Sequence, residues 1–459
     1  MSIADRLGDI VGAAHVVTDA DVLAGRSVDL TGRYRGHATA LVRPGTAKEV
    51  AAALVACRDA GAHVTVQGGR TSLVAGTVPE RDDVLLSTER LTGLGEVDTA
   101  ERRVAAGAGV TLSALQRAAA TAGLLFGVDL AARDTATVGG MASTNAGGLR
   151  TVCYGNMGEQ VLGLEVALAD GSLVRRHSRV RRDNTGYDLA KLFVGAEGTL
   201  GVITEVDLRL HPMPSHRITA LCGFADLPAL VAAGKSFRDL DGIAALEMID
   251  ARSAAITTEH LGVAAPVDGS WLLLVELATG DVGAPPAREE DLTERLDDAL
   301  DTIELCGEPA VGVDATAQQR LWRLREAITE ILGVYGPPLK FDVSLPLPAI
   351  DEFAQRSAAL VADRAPDAIP LLFGHIGEGN LHLNVLRCAL DAEREHRLYA
   401  EMMDLIAGLG GNVSSEHGVG SRKRAYIGMS REPADIAAMR VIKAAFDPTG
   451  YLNAAVMFD

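Results

Sequence analysis

The sequence predicts an α+β protein of two large units followed by a mostly helical C-terminal segment, and three observations lead there. At 459 residues the chain exceeds one ordinary domain. Its first half reads as strand–helix–strand phrases interrupted by three glycine-rich loops of low charge. Beyond the paired prolines of His211-Pro212-Met213-Pro214, helical and strand patterns alternate, which suits an antiparallel sheet covered on one face by helices. The expected units are 1–212, 213–412 and a closing segment 413–459.

In the first unit, Ala40–Gln67 runs from a short apolar stretch through Pro44-Gly45 into an alanine-rich helical pattern. It ends in the alternating His63-Val64-Thr65-Val66-Gln67. A second phrase follows with strands at Val84–Ser87 and Val104–Val110 and a helix from Leu112. The stretch Thr135–Gly148, loaded with Gly, Ala, Ser, Thr and Asn, reads as loop. Being poor in charge, it is expected to pack against a ligand or another domain. Strands return at Val161–Ala169 and Gly201–Leu210. In the second unit, helices are expected around Leu227–Leu240, Glu290–Leu305 and Ala317–Leu332. Strands are expected at Trp271–Leu277, Leu339–Ser344 and Leu381–Val385.

Composition narrows the function. A net charge of −18 argues against nucleic acid as a partner, and an anionic substrate would need its own local cluster of positive groups. Acidic runs such as Glu289, Glu290, Asp291, Glu294, Asp297 and Asp298 read as a solvated helix face. The five cysteines are far apart with no CxxC, which excludes an ordinary cysteine-ligated iron–sulfur cluster and a disulfide framework. Asp5, Arg6 and Asp9 stand where a signal peptide would need an apolar run, and no apolar segment is long enough to span a bilayer. A cytoplasmic protein is expected, with peripheral membrane association left open.

The glycine loops are Gln67-Gly68-Gly69-Arg70-Thr71-Ser72 through Gly76, Thr137–Gly148 and Phe193–Gly201. Small side chains let the backbone close on a ligand, and consecutive N–H groups can form a nest for phosphate oxygens. None matches the Rossmann or P-loop spacing. Any one of them can be a tight turn; three together, all low in charge, point to a large phosphate-bearing cofactor.

A second constellation is His375-Ile376-Gly377-Glu378-Gly379-Asn380-Leu381-His382-Leu383-Asn384, followed later by Glu416-His417. Positions seven apart face opposite sides of an unbroken strand, but Gly377 and Gly379 can turn the chain so that His375 meets His382. Two imidazoles and a carboxylate form a standard catalytic metal set with positions left open for substrate. A satisfied core histidine and a helix-capping Glu416 are the structural alternatives. Arg325 and Thr329 lie one helical turn apart, with Lys340 on the next strand. They are candidate carboxylate anchors or ordinary surface charge.

These loops, with Asp183-Asn184-Thr185-Gly186-Tyr187-Asp188-Leu189, resemble the FAD domain of the vanillyl-alcohol-oxidase superfamily. His375–His382, Ser414-Ser415-Glu416-His417-Gly418 and Phe446-Asp447-Pro448-Thr449-Gly450 resemble its FAD-linked D-2-hydroxyacid dehydrogenase branch, from about Leu41 to Asn453. That branch holds D-lactate and D-2-hydroxyglutarate dehydrogenases and the flavoprotein subunit of glycolate oxidase.

The resemblance implies a two-part FAD-binding domain and an antiparallel-sheet cap domain that takes substrate. It implies FAD contacts from Gln67, Gly68, Gly69, Arg70, Thr71, Ser72 and Gly76, and from Thr137, Gly140, Ser143, Thr144, Asn145 and Gly147. Further FAD contacts would come from Gly195, Glu197, Gly198, Gly201, Val202 and Asn453. His375, His382 and Glu416 would bind a divalent metal, zinc or else manganese or iron. Asn384 and His417 would touch substrate, and Arg325, Thr329 and Lys340 fall at spacings similar to the carboxylate-binding residues of the D-2-hydroxyglutarate enzymes, which favours a dicarboxylic substrate.

Arg70, Ser72, Ala75 and Asn453-Ala454-Ala455 depart from common residues of the family and bear on local loop shape. With no His in the first loop, noncovalent FAD is expected. His417 is the expected general base for passing hydride from C2 to flavin. An external acceptor (an electron-transfer flavoprotein, cytochrome or quinone) would reoxidise the flavin, and a homodimer is compatible. The rival readings are an FAD oxidase of another alcohol or sugar, a flavin-free metal hydrolase, and a noncatalytic cofactor-binding subunit.

Overall fold

The computed structural model describes residues 1–177, 183–280 and 289–458, so Asp459 of the expected C-terminal segment lies outside the described residues. Two compact units emerge. One comprises Met1–Gly147, Gly155–His211 and Glu416–Asp459; the other comprises Gly148–Tyr154 and Pro212–Ser415.

The first unit holds two four-stranded sheets. In one, Ala38–Val42, Asp83–Ser87 and Val64–Gln67 run parallel, and Val16–Val17 adds an antiparallel edge. The helix Ala47–Asp59 joins Ala38–Val42 to Val64–Gln67. It starts where Thr46 accepts a hydrogen bond from the Glu49 N–H, and it buries Val50, Ala53, Leu54 and Cys57 against Val42, Val64 and Val84. Parallel strands need such a covered crossover, and these read as apolar runs because both faces are buried. The other sheet is antiparallel, in the order Arg103–Gly107, Val202–Arg209, Val161–Ala167, Leu173–Arg176. The C-terminal stretch is integral to this unit. Tyr451 and Leu452 sit in the core of the first sheet, and the Tyr451 hydroxyl donates to the Leu54 and Ala169 carbonyls.

The second unit is built on one seven-stranded antiparallel sheet. Its order is Ala310–Gly312, Arg217–Phe224, Trp271–Ala278, Ile243–Asp250, Ile369–His375, Asn380–Leu386, Leu339–Ser344. Helices lie on both faces, not on one as the sequence suggested. Phe373 packs with Leu324 and Ile328 of the helix Ala315–Ile331. Through His382 it is in register with Asp342, while the alternate residue Phe341 stacks on Tyr399 of the helix Ala392–Gly408. Covered on both sides, the central strands lose the alternation that marks a half-exposed sheet.

Thr135–Gly148 is not the loop its composition suggested. It contains a helix, Val138–Thr144, capped by Thr137 Oγ1 accepting from the Gly140 N–H. Glycine and hydroxyl residues carry poor helix propensity, but the small side chains let the helix pack tightly. A Cβ on Gly139 would lie 2.5 Å from Ala108 Cβ. Packing overrides propensity here.

Candidate active site

In the first unit the glycine loops converge. Val64–Gln67 ends in Gly68-Gly69, where a Cβ on Gly69 would lie 1.9 Å from the Thr135 carbonyl oxygen and one on Gly68 2.5 Å from Thr137 Oγ1. The third loop hangs on the second, with the Gly195 N–H donating to Ala142 O and the Glu197 N–H to Ser143 O. Asn453 links two of these parts. Its Oδ1 accepts from the Val66 N–H at 2.8 Å, and its Nδ2 donates to Glu197 O at 2.7 Å.

Most side chains expected to touch a cofactor here shape the loops themselves. Gln67 Nε2 donates to Arg26 O and Thr77 O, and Ser72 Oγ accepts from the Val74 and Gly76 N–H groups. Thr144 Oγ1 donates to Gly140 O, and Asn145 Oδ1 accepts from the Gly158 N–H. The Glu197 carboxylate accepts from the Val419 and Gly420 N–H groups at 2.7 and 2.8 Å. Burial pushes this carboxyl above its ordinary value against those hydrogen bonds and the charge of Lys423. Arg70 donates to Gly25 O; burial, then Arg26, lower its pKa. Gly147 and Val202 are buried, while Thr71 and Ser143 are half-buried.

What remains for a ligand is backbone, with the side chains of Thr71 and Ser143. The half-buried N–H groups of Gly68, Gly69, Arg70 and Thr71 donate to no acceptor among the described residues. Four consecutive N–H groups beside a wall too close for a Cβ fit the phosphate groups of a phosphate-bearing cofactor.

In the second unit one sheet face carries the polar cluster. Ile369–His375 and Asn380–Leu386 form a hairpin joined through Ile376–Glu378 and Gly379, whose φ of +69° the missing side chain permits. The hairpin brings the His375 and His382 rings to a centroid separation of 5.3 Å. Asn384 is buried on the His382 face, in register with half-buried Lys340. Asp342 lies opposite His382, with its Oδ1 3.8 Å from His382 Nδ1, and Asp342 Oδ2 accepts from the Ser415 N–H at 3.0 Å. Glu416 follows Ser415 in the chain and is partly exposed, and its Oε1 is 3.5 Å from His417 Nε2.

Arg325 is 4% exposed, so it is no ordinary surface charge. Its Nε donates to Glu247 Oε2 at 2.7 Å, and its guanidinium lies 4.9 Å from the Phe373 ring centroid. Thr329, one turn on, is exposed and donates to Glu326 O. Glu247, on the strand Ile243–Asp250, also faces His375, with its Oε1 2.5 Å from Nδ1. Burial alone would raise the Glu247 carboxyl, but His375 and Arg325 outweigh it and hold it below the ordinary value.

Sequence reasoning found neither Glu247 nor Asp342. Glu247 interrupts an otherwise apolar strand, and that interruption was the available signal; Asp342 sits at a polar position of the alternating Leu339–Ser344, where nothing set it apart.

Two four-stranded sheets with their glycine-rich loops and a seven-stranded antiparallel sheet make a two-part FAD-oxidase fold. 4-Ethylphenol oxidase from Gulosibacter chungangensis shares it at a TM-score of 0.80 and 17% identity, over 99% of this chain and 97% of that one. Residues 213–456 match the family model of FAD linked oxidases, C-terminal domain, and residues 38–176 match the FAD binding domain. D-2-hydroxyglutarate dehydrogenase, mitochondrial, of Bos taurus is 36% identical over 95% of this chain and 80% of its own length. D-2-hydroxyglutarate dehydrogenase of Stutzerimonas stutzeri is 32% identical over 100% of this chain and 99% of its own. The chain belongs to the FAD-linked oxidase family, in its D-2-hydroxyacid dehydrogenase branch, and is an FAD-dependent oxidoreductase. No helix among the described residues is long and apolar enough to cross a membrane.

Proposed function

We propose that the chain oxidises a D-2-hydroxy acid to the 2-oxo acid, with a divalent metal beside noncovalent FAD. A dicarboxylic substrate, D-2-hydroxyglutarate, is favoured over D-lactate. The observation that carries this reading is the pairing of His375 and His382 across one hairpin, on the same sheet face as Arg325, Lys340 and Asn384. The relatives named as D-2-hydroxyglutarate dehydrogenases support the substrate class.

His375, His382 and Glu416 would hold the metal. Two imidazole nitrogens and a carboxylate oxygen suit zinc, and manganese or iron can take the same set. When bound, the ion supplies Lewis-acid polarisation of the substrate C2 hydroxyl and FAD supplies the acceptor for the C2 hydride. Asn384 and His417 would hold the C1 carboxylate end. His417 would accept the hydroxyl proton, a role an imidazole fills near neutral pH. Arg325, Thr329 and Lys340 would anchor the second carboxylate. Arg325 is prepared for this: Glu247 fixes its Nε, while Nη1 and Nη2 make no hydrogen bond among the described residues. The first glycine loop would hold the FAD pyrophosphate on its backbone N–H groups. An electron-transfer flavoprotein, cytochrome or quinone would then take the electrons.

Turnover with an artificial acceptor tests the reading. D-2-Hydroxyglutarate should exceed D-lactate in kcat/KM, both L-isomers should be inert, and a chelator should abolish the rate until metal is restored. Chelator-insensitive turnover with full metal depletion would remove the metal from the mechanism. Glu416→Ala should lose bound metal as well as rate.

A further inference from the structure

Glu247 is fully buried and lies 128 residues before His375 in the chain, yet the sheet register places the two side by side. Each oxygen of its carboxylate has its own cationic or donor partner. Oε1 meets His375 Nδ1 at 2.5 Å, and Oε2 accepts from Arg325 Nε at 2.7 Å. A buried carboxylate is stable only when its oxygens are hydrogen-bonded, and Glu247 holds each partner through a separate oxygen. Phe373 adds a further restraint, with its ring under the Arg325 guanidinium and 5.5 Å from the His382 ring.

We propose that Glu247 is a positioning residue that sets two functional groups at once, orienting His375 toward the metal and Arg325 toward the substrate's second carboxylate. This rests on the function proposed above. With its Nδ1 hydrogen-bonded to the carboxylate, His375 presents Nε2 as the ligand nitrogen; the outer carboxylate fixes tautomer and ring orientation. With Nε engaged, the guanidinium plane is fixed and its Nη edge is left for a carboxylate. Metal affinity and recognition of a dicarboxylic acid are thereby joined through one side chain that touches neither ligand. Glu247 takes no part in the chemistry. Its removal should act through geometry.

The test is Glu247→Gln in the FAD-loaded enzyme. The amide keeps the shape but offers one acceptor oxygen in place of two. Zinc affinity, measured by competition with a chromogenic chelator, should fall about 10- to 100-fold. KM should rise for D-2-hydroxyglutarate well beyond any rise for D-lactate, with FAD content unchanged. Zinc affinity within threefold of wild type would overturn the proposal.

If Glu247→Gln does not fold, Arg325→Lys serves, because it leaves the His375–Glu247 contact intact. It should raise KM for the dicarboxylic acid while leaving zinc affinity within threefold of wild type. An equal loss of zinc affinity would contradict the independent hold on His375. A wild-type enzyme that binds neither zinc, manganese nor ferrous iron would instead defeat the functional reading, whatever the variants do.

Discussion

Gly69→Ala is the sharpest test of whether the first loop holds FAD. A Cβ at this position would lie 1.9 Å from the Thr135 carbonyl oxygen, 2.8 Å from its carbon and 3.1 Å from Ala136 Cα. All three are backbone atoms, so no side-chain rotation relieves the clash. Real Cβ contacts respect about 3.0 Å, so the two loops must part by at least roughly 1.1 Å. Overpacking of this kind costs about 1–3 kcal/mol in stability.

The same shift displaces the N–H groups of Gly68 to Thr71. An N–H that moves about 1 Å from a phosphate oxygen leaves hydrogen-bonding range, and each such charge-assisted bond is worth about 1.5–3 kcal/mol. Losing one or two predicts an FAD dissociation constant raised about 10- to 1,000-fold or more. Fluorescence titration of apoprotein with FAD measures it, alongside the thermal midpoint. Gly93→Ala is the control, because nothing lies within 4 Å of the added Cβ. Gly69→Ala with FAD affinity within threefold of wild type would refute the placement of the pyrophosphate on this loop.

Other expectations follow from the same geometry. His417→Ala should bind FAD like wild type yet slow flavin reduction by substrate about 10²- to 10⁴-fold in stopped flow, and unchanged reduction would remove it as the base. Cys57 and Cys222 are buried, and burial pushes both thiols up to about 12, whereas Cys153 and Cys306 are exposed. Iodoacetamide at pH 8 should therefore label the exposed pair first by mass spectrometry, and early labelling of Cys57 would count against the packing of its helix. Glu89 accepts from Arg26 and Arg43. Burial opposes its ionisation, but the two guanidinium groups outweigh burial and hold the carboxyl below its ordinary value. A lowered folded value gives stability that is present above the unfolded value near 4.3 and is lost as pH falls through the folded one. Glu89→Gln should thus cost about 1 kcal/mol at pH 7, an amount discounted for partial exposure. The gap should close on going from about pH 5 to pH 3 in thermal melts, and a gap independent of pH would contradict the ion pair.

How much the sequence revealed depended on whether a feature was local. The turn that pairs His375 with His382 was legible because two glycines lie between them, and Gly379 does take the left-handed conformation. The parallel strands of the first unit were legible from the phrase around Ala47–Asp59. Strands Arg217–Phe224 and Ile243–Asp250 went unread because, buried on both faces, they show no period of two. Glu247 went with them, since its meaning depends on partners 78 and 128 residues away. The convergence of the glycine loops was legible from their composition. The bracing by Gln67 and Asn453 side chains was not, because their carbonyl partners are distant in sequence.

The most direct measurement of the central claim is an anaerobic visible spectrum of the purified protein, titrated in turn with D-2-hydroxyglutarate, D-lactate and their L-isomers. Bleaching of a flavin band by the D-isomers, strongest with the dicarboxylic acid and abolished by a chelator, is the predicted result. A flavin band that no 2-hydroxy acid bleaches, or a colourless protein that FAD cannot reconstitute, would contradict it.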